Sequence, residues 1–321
     1  MTGIGPSSTK LDGLHVVVVN WNGGSEENLR CLTSVLEQGL PEERLVFVDN
    51  GSADGSLAAV TEQFPGLSLI ENGANRGFGE AANQGARKAL DAGARAVAFV
   101  NNDLRFNPAQ GCLPAMMGAL ESNPRLGMVG PRVLFDDGTE RVWCAGGRLD
   151  YRANLSTLLG NGEPDGPDWR VTRDVDYVAG CAAVCRAETL REVGLFEASY
   201  FAYMEDVELG QRMRRAGWAV QIHGEHAAYH APSSATGGGY GARRKWMQAL
   251  NSVRFLKQHG GALHWVRFAV FDVATLPIVW LLRAPRGDSK AVLAKAKGIW
   301  DGIRGRRVTA DALEPGASRL W

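Results

Sequence analysis

Residues 14–19 form an apolar, β-branched run of the kind a buried parallel strand requires, and Asn20-Trp21-Asn22-Gly23-Gly24 breaks it. The spacing then turns helical. Behind a Ser25 cap, Leu29, Leu32, Val35 and Leu36 mark one face of a helix running to about Gln38. Residues 45–48 make a second strand, closed by a dense turn sequence from Asp49 to Ser56. A short helix to Phe64, a strand at 67–70 and a helix through Ala81, Ala82, Ala86 and Leu90 follow. Residues 96–100 are a fourth apolar run, after which the chain turns polar abruptly at Asn101, Asn102 and Asp103. Strand and helix alternate throughout, which predicts a doubly wound α/β sheet, parallel in this half.

The rhythm changes beyond Asp103. A helix at 109–120 and a strand at 127–133 are followed by strands at 142–149 and 176–186 with no helix of normal length between them. The Gly/Pro-rich loop at 161–168 has the character of a functional lid. After a short helix at 188–193, Glu205-Asp206 opens a helix at 208–216, with Leu209 and Met213 one turn apart and Gly217 as its stop. Short strands at 218–222 and 227–230 lead into a Ser/Gly-rich segment, 233–241, that suits a mobile flap. From Ala242 the chain is helical and basic. The expected organisation is a flexible N-terminus at 1–13, an α/β domain at 14–235 and a helical extension at 236–321.

Composition narrows the classes. Lys and Arg together number 35, as do Asp and Glu, so no global field draws the chain to nucleic acid. Hydrophobic residues at 45% supply ample core for one large α/β domain with an appendage. Five cysteines at irregular spacing argue against a disulfide framework, and a reducing cytoplasm is the simplest compartment. Residues 1–13 hold no apolar segment ahead of a cleavage site. The longest apolar tract, 265–282, reaches spanning length but contains Arg267, Asp272 and Pro277, which count against a full membrane span.

In open α/β sheets ligands sit beyond the carboxyl ends of the strands. Two amides and the Asp103 carboxylate delivered there suit a hard cation with oxygen ligands. They equally suit a polar turn hydrogen-bonding its own backbone. The first strand–helix turn lacks Gly-x-Gly-x-x-Gly, which disfavours a dinucleotide site.

Five motifs occur in order: Val-Val-Asn-Trp-Asn, Val-Asp-Asn-Gly-Ser, Asn-Arg-Gly-Phe-Gly, Asn-Asn-Asp and Tyr-Met-Glu-Asp-Val-Glu-Leu. Together, over residues 14–234, they resemble the family-2 inverting glycosyltransferases of the GT-A fold, and within them the rhamnosyltransferase-like branch. The resemblance implies a Rossmann-like mixed sheet flanked by helices, with 14–235 as its catalytic domain. It implies a nucleotide-sugar pocket containing Val19, Trp21, Asp49, Gly77, Asn83, Asn102 and Asp103. Asp49 would meet the nucleobase, Trp21 would stack beside it, and Gly77 would permit close backbone approach. Asn101 replaces the first carboxylate of the family's Asp-x-Asp, leaving Asp103, with His230, to hold Mg²⁺ or Mn²⁺. The catalytic base falls in the pair Glu205 and Asp206, most often the aspartate. Such a carboxylate takes the proton of an attacking sugar hydroxyl, although an aspartate here also serves as a helix cap.

The implied partners are a nucleotide-diphospho-sugar donor, dTDP-L-rhamnose first and a UDP-sugar second, and a glycan or lipid-linked acceptor of the cell envelope. The basic extension, with Arg283, Arg286, Lys290, Lys295, Lys297, Arg304, Arg306 and Arg307 beside an apolar tract, suits either peripheral docking on an anionic membrane or packing on the protein. A nucleotidyltransferase and a non-catalytic sugar-nucleotide-binding protein are the rival readings.

Overall fold

The computed structural model describes residues 11–231, 241–314 and 316–321. Met1–Lys10 and nearly all of the expected flap at 233–241 lie outside the described residues. The first half follows the alternation: β1 (Leu14–Asn20), α1 (Ser25–Leu36), β2 (Leu45–Asp49), α2 (Ser56–Gln63), β3 (Ser68–Glu71), α3 (Phe78–Asp91) and β4 (Ala96–Asn101). Ser25 is the first helical residue of α1 rather than its cap, a position taken by Gly24.

The second half holds β5 (Leu104–Phe106), α4 (Cys112–Ser122), β6 (Leu126–Phe135), β7 (Val142–Cys144), β8 (Gly147–Leu149) and β9 (Ser156–Leu158). It continues with β10 (Thr172–Asp174), β11 (Ala182–Arg186), α5 (Ala187–Val193), α6 (Glu205–Arg215) and β12 (Ala219–His230). The strand expected at 142–149 is therefore two, split at Gly146, which adopts a left-handed φ of 95°. The two short strands expected at 218–222 and 227–230 are one, interrupted by a bulge between His223 and Ala227.

The main sheet runs β10-β12-β6-β11-β4-β1-β2-β3. β4, β1, β2 and β3 are parallel, β11 is antiparallel to both β4 and β6, and β12 is parallel to β6. One edge of the sheet therefore gathers the carboxyl ends of β1, β2, β4 and β12 and the amino end of β11. Buried side chains of α1 and α4 fill one face, and those of α3 and α6 the other.

The C-terminal part is α7 (Ala242–His259), α8 (Ala262–Phe268), a π-helical turn (Ala269–Val273), α9 (Leu276–Arg283) and α10 (Ser289–Ile303). It is packed into the molecule: Val253, Phe255 and Leu256 of α7 and Ile299 of α10 share a buried cluster with Tyr151, Tyr177, Tyr200 and Val207. The tract read as too charged to span belongs to a 25-residue helical segment, Ala262–Arg286, that by length and composition could cross a membrane. Asp272, which argued against a span, is turned inward onto Lys295, 2.6 Å away.

Candidate active site

β1 delivers Asn20, fully buried, to the converging edge. Its side-chain N–H groups have Asp49 Oδ1 at 3.1 Å, Ser52 Oγ at 3.0 Å and Ser56 Oγ at 2.8 Å. Its carbonyl oxygen accepts from Gly23 N, Asn28 Nδ2 and Asn102 Nδ2 at 3.2, 3.0 and 2.9 Å. One amide thereby ties together the ends of β1, β2 and β4. Gly23 is required by this arrangement, since a Cβ there would lie 1.8 Å from Asn102 Nδ2.

Asp49 is buried at the end of β2, and its Oδ2 accepts from Gly51 N and Ser52 N at 3.1 and 3.0 Å. It is an Asx-turn carboxylate held in place, with further lone pairs left to accept hydrogen bonds. Asn50 beside it donates to Asn75 Oδ1 at 3.0 Å and accepts from Arg76 N at 3.0 Å, fixing the loop ahead of α3. Asp54 accepts from Gly24 N at 2.8 Å and from Ser56 Oγ at 2.5 Å, and so serves the turn. Val19 and Trp21 are half-buried on either side of Asn20.

Asn101 N donates to Cys181 O at 3.0 Å, stitching β4 to the start of β11. Asp103 follows, and Ala231 N donates to its backbone oxygen at 3.0 Å. β5 then pairs with the end of β12, with Leu104 opposite His230. This register brings His230 Nε2 to 3.0 Å from Asp103 Oδ1, both side chains more than nine-tenths buried. Among the described residues neither ring nitrogen of His230 makes a hydrogen bond, and the edge of the ring rests on Trp143. A buried imidazole nitrogen beside a buried carboxylate oxygen is a donor pair of the kind a divalent cation accepts. Among the described residues no cluster of three or more His, Cys, Asp or Glu could hold a metal.

α6 starts at Glu205, three residues earlier than expected, so Glu205 and Asp206 lie in its first turn and Met204 is the N-cap. Asp206 Oδ2 accepts from Gly180 N at 3.0 Å and Oδ1 from Val207 N at 2.8 Å. Gly180 adjoins Cys181, the partner of Asn101, so Asp206 sits one residue across from the Asn-Asn-Asp turn. Burial, and then the charge of Asp206, push the Glu205 carboxyl up to about 8. Its Oε2 finds no hydrogen bond among the described residues. Burial raises Asp206 as well, against the pull of the Gly180 and Val207 N–H groups. Two adjacent carboxyls of this kind do not ionise together at neutral pH.

A sheet edge with a held carboxylate at each of two strand ends, a histidine paired with one of them, and an acid pair on a helix start now has a counterpart. The family model described as "Glycosyl transferase family 2" matches residues 15–187. The chain belongs to this family. An N-acetylglucosaminyl-diphospho-decaprenol L-rhamnosyltransferase of Mycobacterium tuberculosis is 30% identical over 246 residues, 70% of this chain and 78% of that one. A low-salt glycan biosynthesis hexosyltransferase of Haloferax volcanii is 26% identical over 64% of this chain and 63% of its own. Among solved structures, the mannosyltransferase PcManGT of Pyrobaculum calidifontis, in complex with GDP-Man and Mn²⁺, has a TM-score of 0.57 at 18% identity. That match covers 90% of this chain and 86% of the other. TarS of S. aureus gives 0.56 at 16% identity, over 94% of this chain and half of its own. The fold is GT-A, and the protein is a glycosyltransferase of the rhamnosyltransferase-like branch.

Within this family-2 fold, Asp49, Asn102, Asp103, Glu205, Asp206 and His230 lie around the converging edge, with Val19 and Trp21 at its rim. Two expected pocket residues do other work. Asn83 is buried and clamps Phe196, donating to its carbonyl at 2.8 Å and accepting from its N–H at 3.0 Å, so its amide is spent on the backbone. Gly77 does permit a close approach, but the approaching group is Phe201, whose carbonyl oxygen would lie 2.7 Å from an added Cβ. Sequence reasoning missed Asn20, whose only signal was its place at a strand end, and Gly180, which offers its N–H to Asp206. It also missed Asn251 of α7, 45 residues beyond the acid pair. Its side chain donates to the carbonyls of Tyr200, Ala202 and Tyr203 at 2.8, 2.9 and 2.9 Å.

Proposed function

We propose that this glycosyltransferase moves rhamnose from dTDP-L-rhamnose to a lipid-linked glycan acceptor in cell-envelope polysaccharide synthesis, inverting the anomeric centre by direct displacement. The observation that carries the reading is the placement of Asp206, on Gly180 and one residue across from the Asn101–Asp103 turn. A base there reaches an acceptor hydroxyl next to a diphosphate seated at the strand ends. The likeness to an N-acetylglucosaminyl-diphospho-decaprenol L-rhamnosyltransferase supports rhamnose as the transferred sugar and a lipid-linked acceptor. A UDP-sugar is the second donor.

Asp206 accepts the acceptor hydroxyl proton as that oxygen attacks and the nucleoside diphosphate departs. Its raised pKa brings it closer to the operating pH and so improves it as a base. Glu205 retains its proton at neutral pH and keeps the pair singly charged. Asp49, with Trp21 and Val19 beside it, receives the nucleobase, and Asn102 is pinned by Asn20 near the diphosphate. Asp103 and His230 would hold Mg²⁺ or Mn²⁺. When bound, such a cation neutralises charge on the leaving diphosphate. The five cysteines, all buried free thiols, fit work in a reducing cytoplasm.

The test is transfer by the full chain to diphospho-polyprenol-linked N-acetylglucosamine, with dTDP-L-rhamnose and UDP-sugars offered separately and product configuration read by NMR. Nucleoside diphosphate binding without transfer from any donor would replace the enzyme reading with a binding protein on the same fold.

A further inference from the structure

The segment Ala262–Arg286 presents an apolar face that the other described residues leave uncovered. Leu263, Val266, Ile278, Leu281 and Leu282 are each more than half exposed, and Trp280 is 40% exposed. α10 adds Leu293, Trp300 and Ile303 on a single helical face. Between α9 and α10 runs a groove of about 430 Å³ with apolar walls, including Pro277, Trp280, Val292 and Leu293.

Charge decides what covers this face. Between Ala262 and Arg307 there are nine Lys or Arg against three Asp, in a chain whose net charge is zero. Asp272 and Asp301 are buried, and Asp288 is paired with Arg283 at 3.3 Å, so the exposed charge is cationic. Arg304 lies over the Trp300 ring at 4.6 Å, an aromatic–cation pair of the kind favoured at membrane interfaces.

Packing decides the orientation. Phe268, Asp272 and Leu276, spaced four residues apart, face the protein: Phe268 and Leu276 join the α7–α10 cluster. Asp272 Oδ1 accepts from Lys295 Nζ at 2.6 Å and from Asn154 N at 2.8 Å. A transmembrane span of this 25-residue segment would place Asp272 near mid-bilayer and strip it of both partners, a costly change. Lying flat keeps them.

We propose that α8, α9 and the outer face of α10 form an in-plane anchor on an anionic bilayer surface. The apolar side chains enter the acyl boundary, the α9–α10 groove takes a lipid hydrocarbon chain, and Arg267, Arg286 and Lys290 meet the headgroups. The anchor extends the lipid-linked-acceptor reading, since it would hold the enzyme at the surface where such an acceptor lies.

The full chain is sedimented with vesicles of phosphatidylcholine alone and of phosphatidylcholine with about one third phosphatidylglycerol. Binding to the anionic vesicles is expected, lost at least about tenfold by Leu281→Glu with Leu282→Glu. Arg286→Glu with Lys290→Glu should weaken it roughly fivefold per cation, on anionic vesicles only. Labels at Leu263→Cys, Val270→Cys and Leu281→Cys should report one shallow depth; a much deeper Val270 label would mean a span and overturn the in-plane arrangement. No vesicle binding would overturn the anchor, and a dimer dissolved by Leu281→Glu with Leu282→Glu would then assign the face to a second copy. Transfer to a water-soluble acceptor analogue, followed on the same variants, should be unchanged. Vesicle binding without any transfer would instead count against the glycosyl-transfer reading alone.

Discussion

Asp206, the proposed base, is also a first-turn residue of α6, and the two roles are separable. Asp206→Asn keeps its shape and its acceptor for Gly180 N–H but cannot take a proton. Turnover is expected to fall by about 10²–10⁴-fold while donor affinity holds; near-normal turnover with a lowered melting temperature would make the residue purely structural. Glu205 carries a pH signature of its own. Its folded-state pKa, about 8, stands above the ordinary carboxyl value of 4.5, so the folded protein keeps a proton that the unfolded chain gives up. Stability tied to this group is complete below about pH 4.5 and declines as pH rises towards 8. Glu205→Gln should flatten that decline, and melting temperatures of both proteins between pH 5 and about 9 measure it. A third prediction concerns the proposed metal pair, Asp103 and His230, which are two donors among the described residues. Mn²⁺ alone should bind poorly, and the affinity should rise when a nucleoside diphosphate supplies oxygens. Calorimetry with and without the nucleotide shows this, and full activity in excess EDTA would remove the metal from the reading. The gathering of Asp49, Asp103, Asp206 and His230 at one sheet edge was legible, because polar residues at strand ends and helix starts in a familiar order announce their placement. Asn20 and Asn251 were not: an amide whose work is to hold backbone looks like any other polar residue until its partners are in place.

At the level of elements, what the chain showed plainly were long apolar runs. β1, β2 and β4 have continuous buried patterns, and their boundaries came within a residue or two. β5, β9 and β10 are three residues each and carry no periodicity, so they were passed over, although β5 is the strand that sets Asp103 against His230. β12 read as two pieces because its bulge interrupts the alternation. The most consequential element invisible in the sequence is the turn before α6. Phe201, Tyr203 and Met204 all have positive φ, at 63, 68 and 74°, a conformation that non-glycine residues adopt at a cost. Asn251 holds this turn by accepting no alternative: its amide N–H groups bind three carbonyls of it. Asn251→Ala removes this donor from all three carbonyls, of which Tyr200 O keeps Ala202 N at 2.7 Å, and should cost about 1–3 kcal/mol of stability. If the turn aims Asp206, kcat falls beyond what the lost folded fraction explains and donor affinity does not. Equal losses in both would mean that Asn251 only stabilises.

Across the whole molecule, the boundary expected at residue 235 separates parts that the packing joins. α7 supplies Asn251 to the turn before α6, and α10 lies on α7 at very short range. A Cβ added at Gly298 would lie 2.3 Å from Trp246 O, and one at Gly302 would lie 2.8 Å from Val253 Cβ. Ala294, Gly298 and Gly302 thus form a small-residue face, four residues apart, on which α7 rests. Trp246 Nε1 also donates to Asp301 Oδ2 at 2.9 Å across the same contact. Cutting the chain after α7 would remove α10 and expose the α7 surface that rests on it, together with the buried cluster that Ile299 joins, so a shortened protein is not expected to isolate a catalytic domain. Gly298→Val tests the coupling without removing any residue of the candidate site. Overpacking should lower stability by about 1–3 kcal/mol. Displacement of α7 should carry Asn251 with it, reducing turnover in protein that is still folded at the assay temperature. Asp49, Asn102, Asp103 and His230 are held by the sheet edge rather than by α7, so nucleoside diphosphate affinity should persist. Turnover that stays normal in fully folded Gly298→Val protein would show that the C-terminal helices stabilise the enzyme without aiming its base.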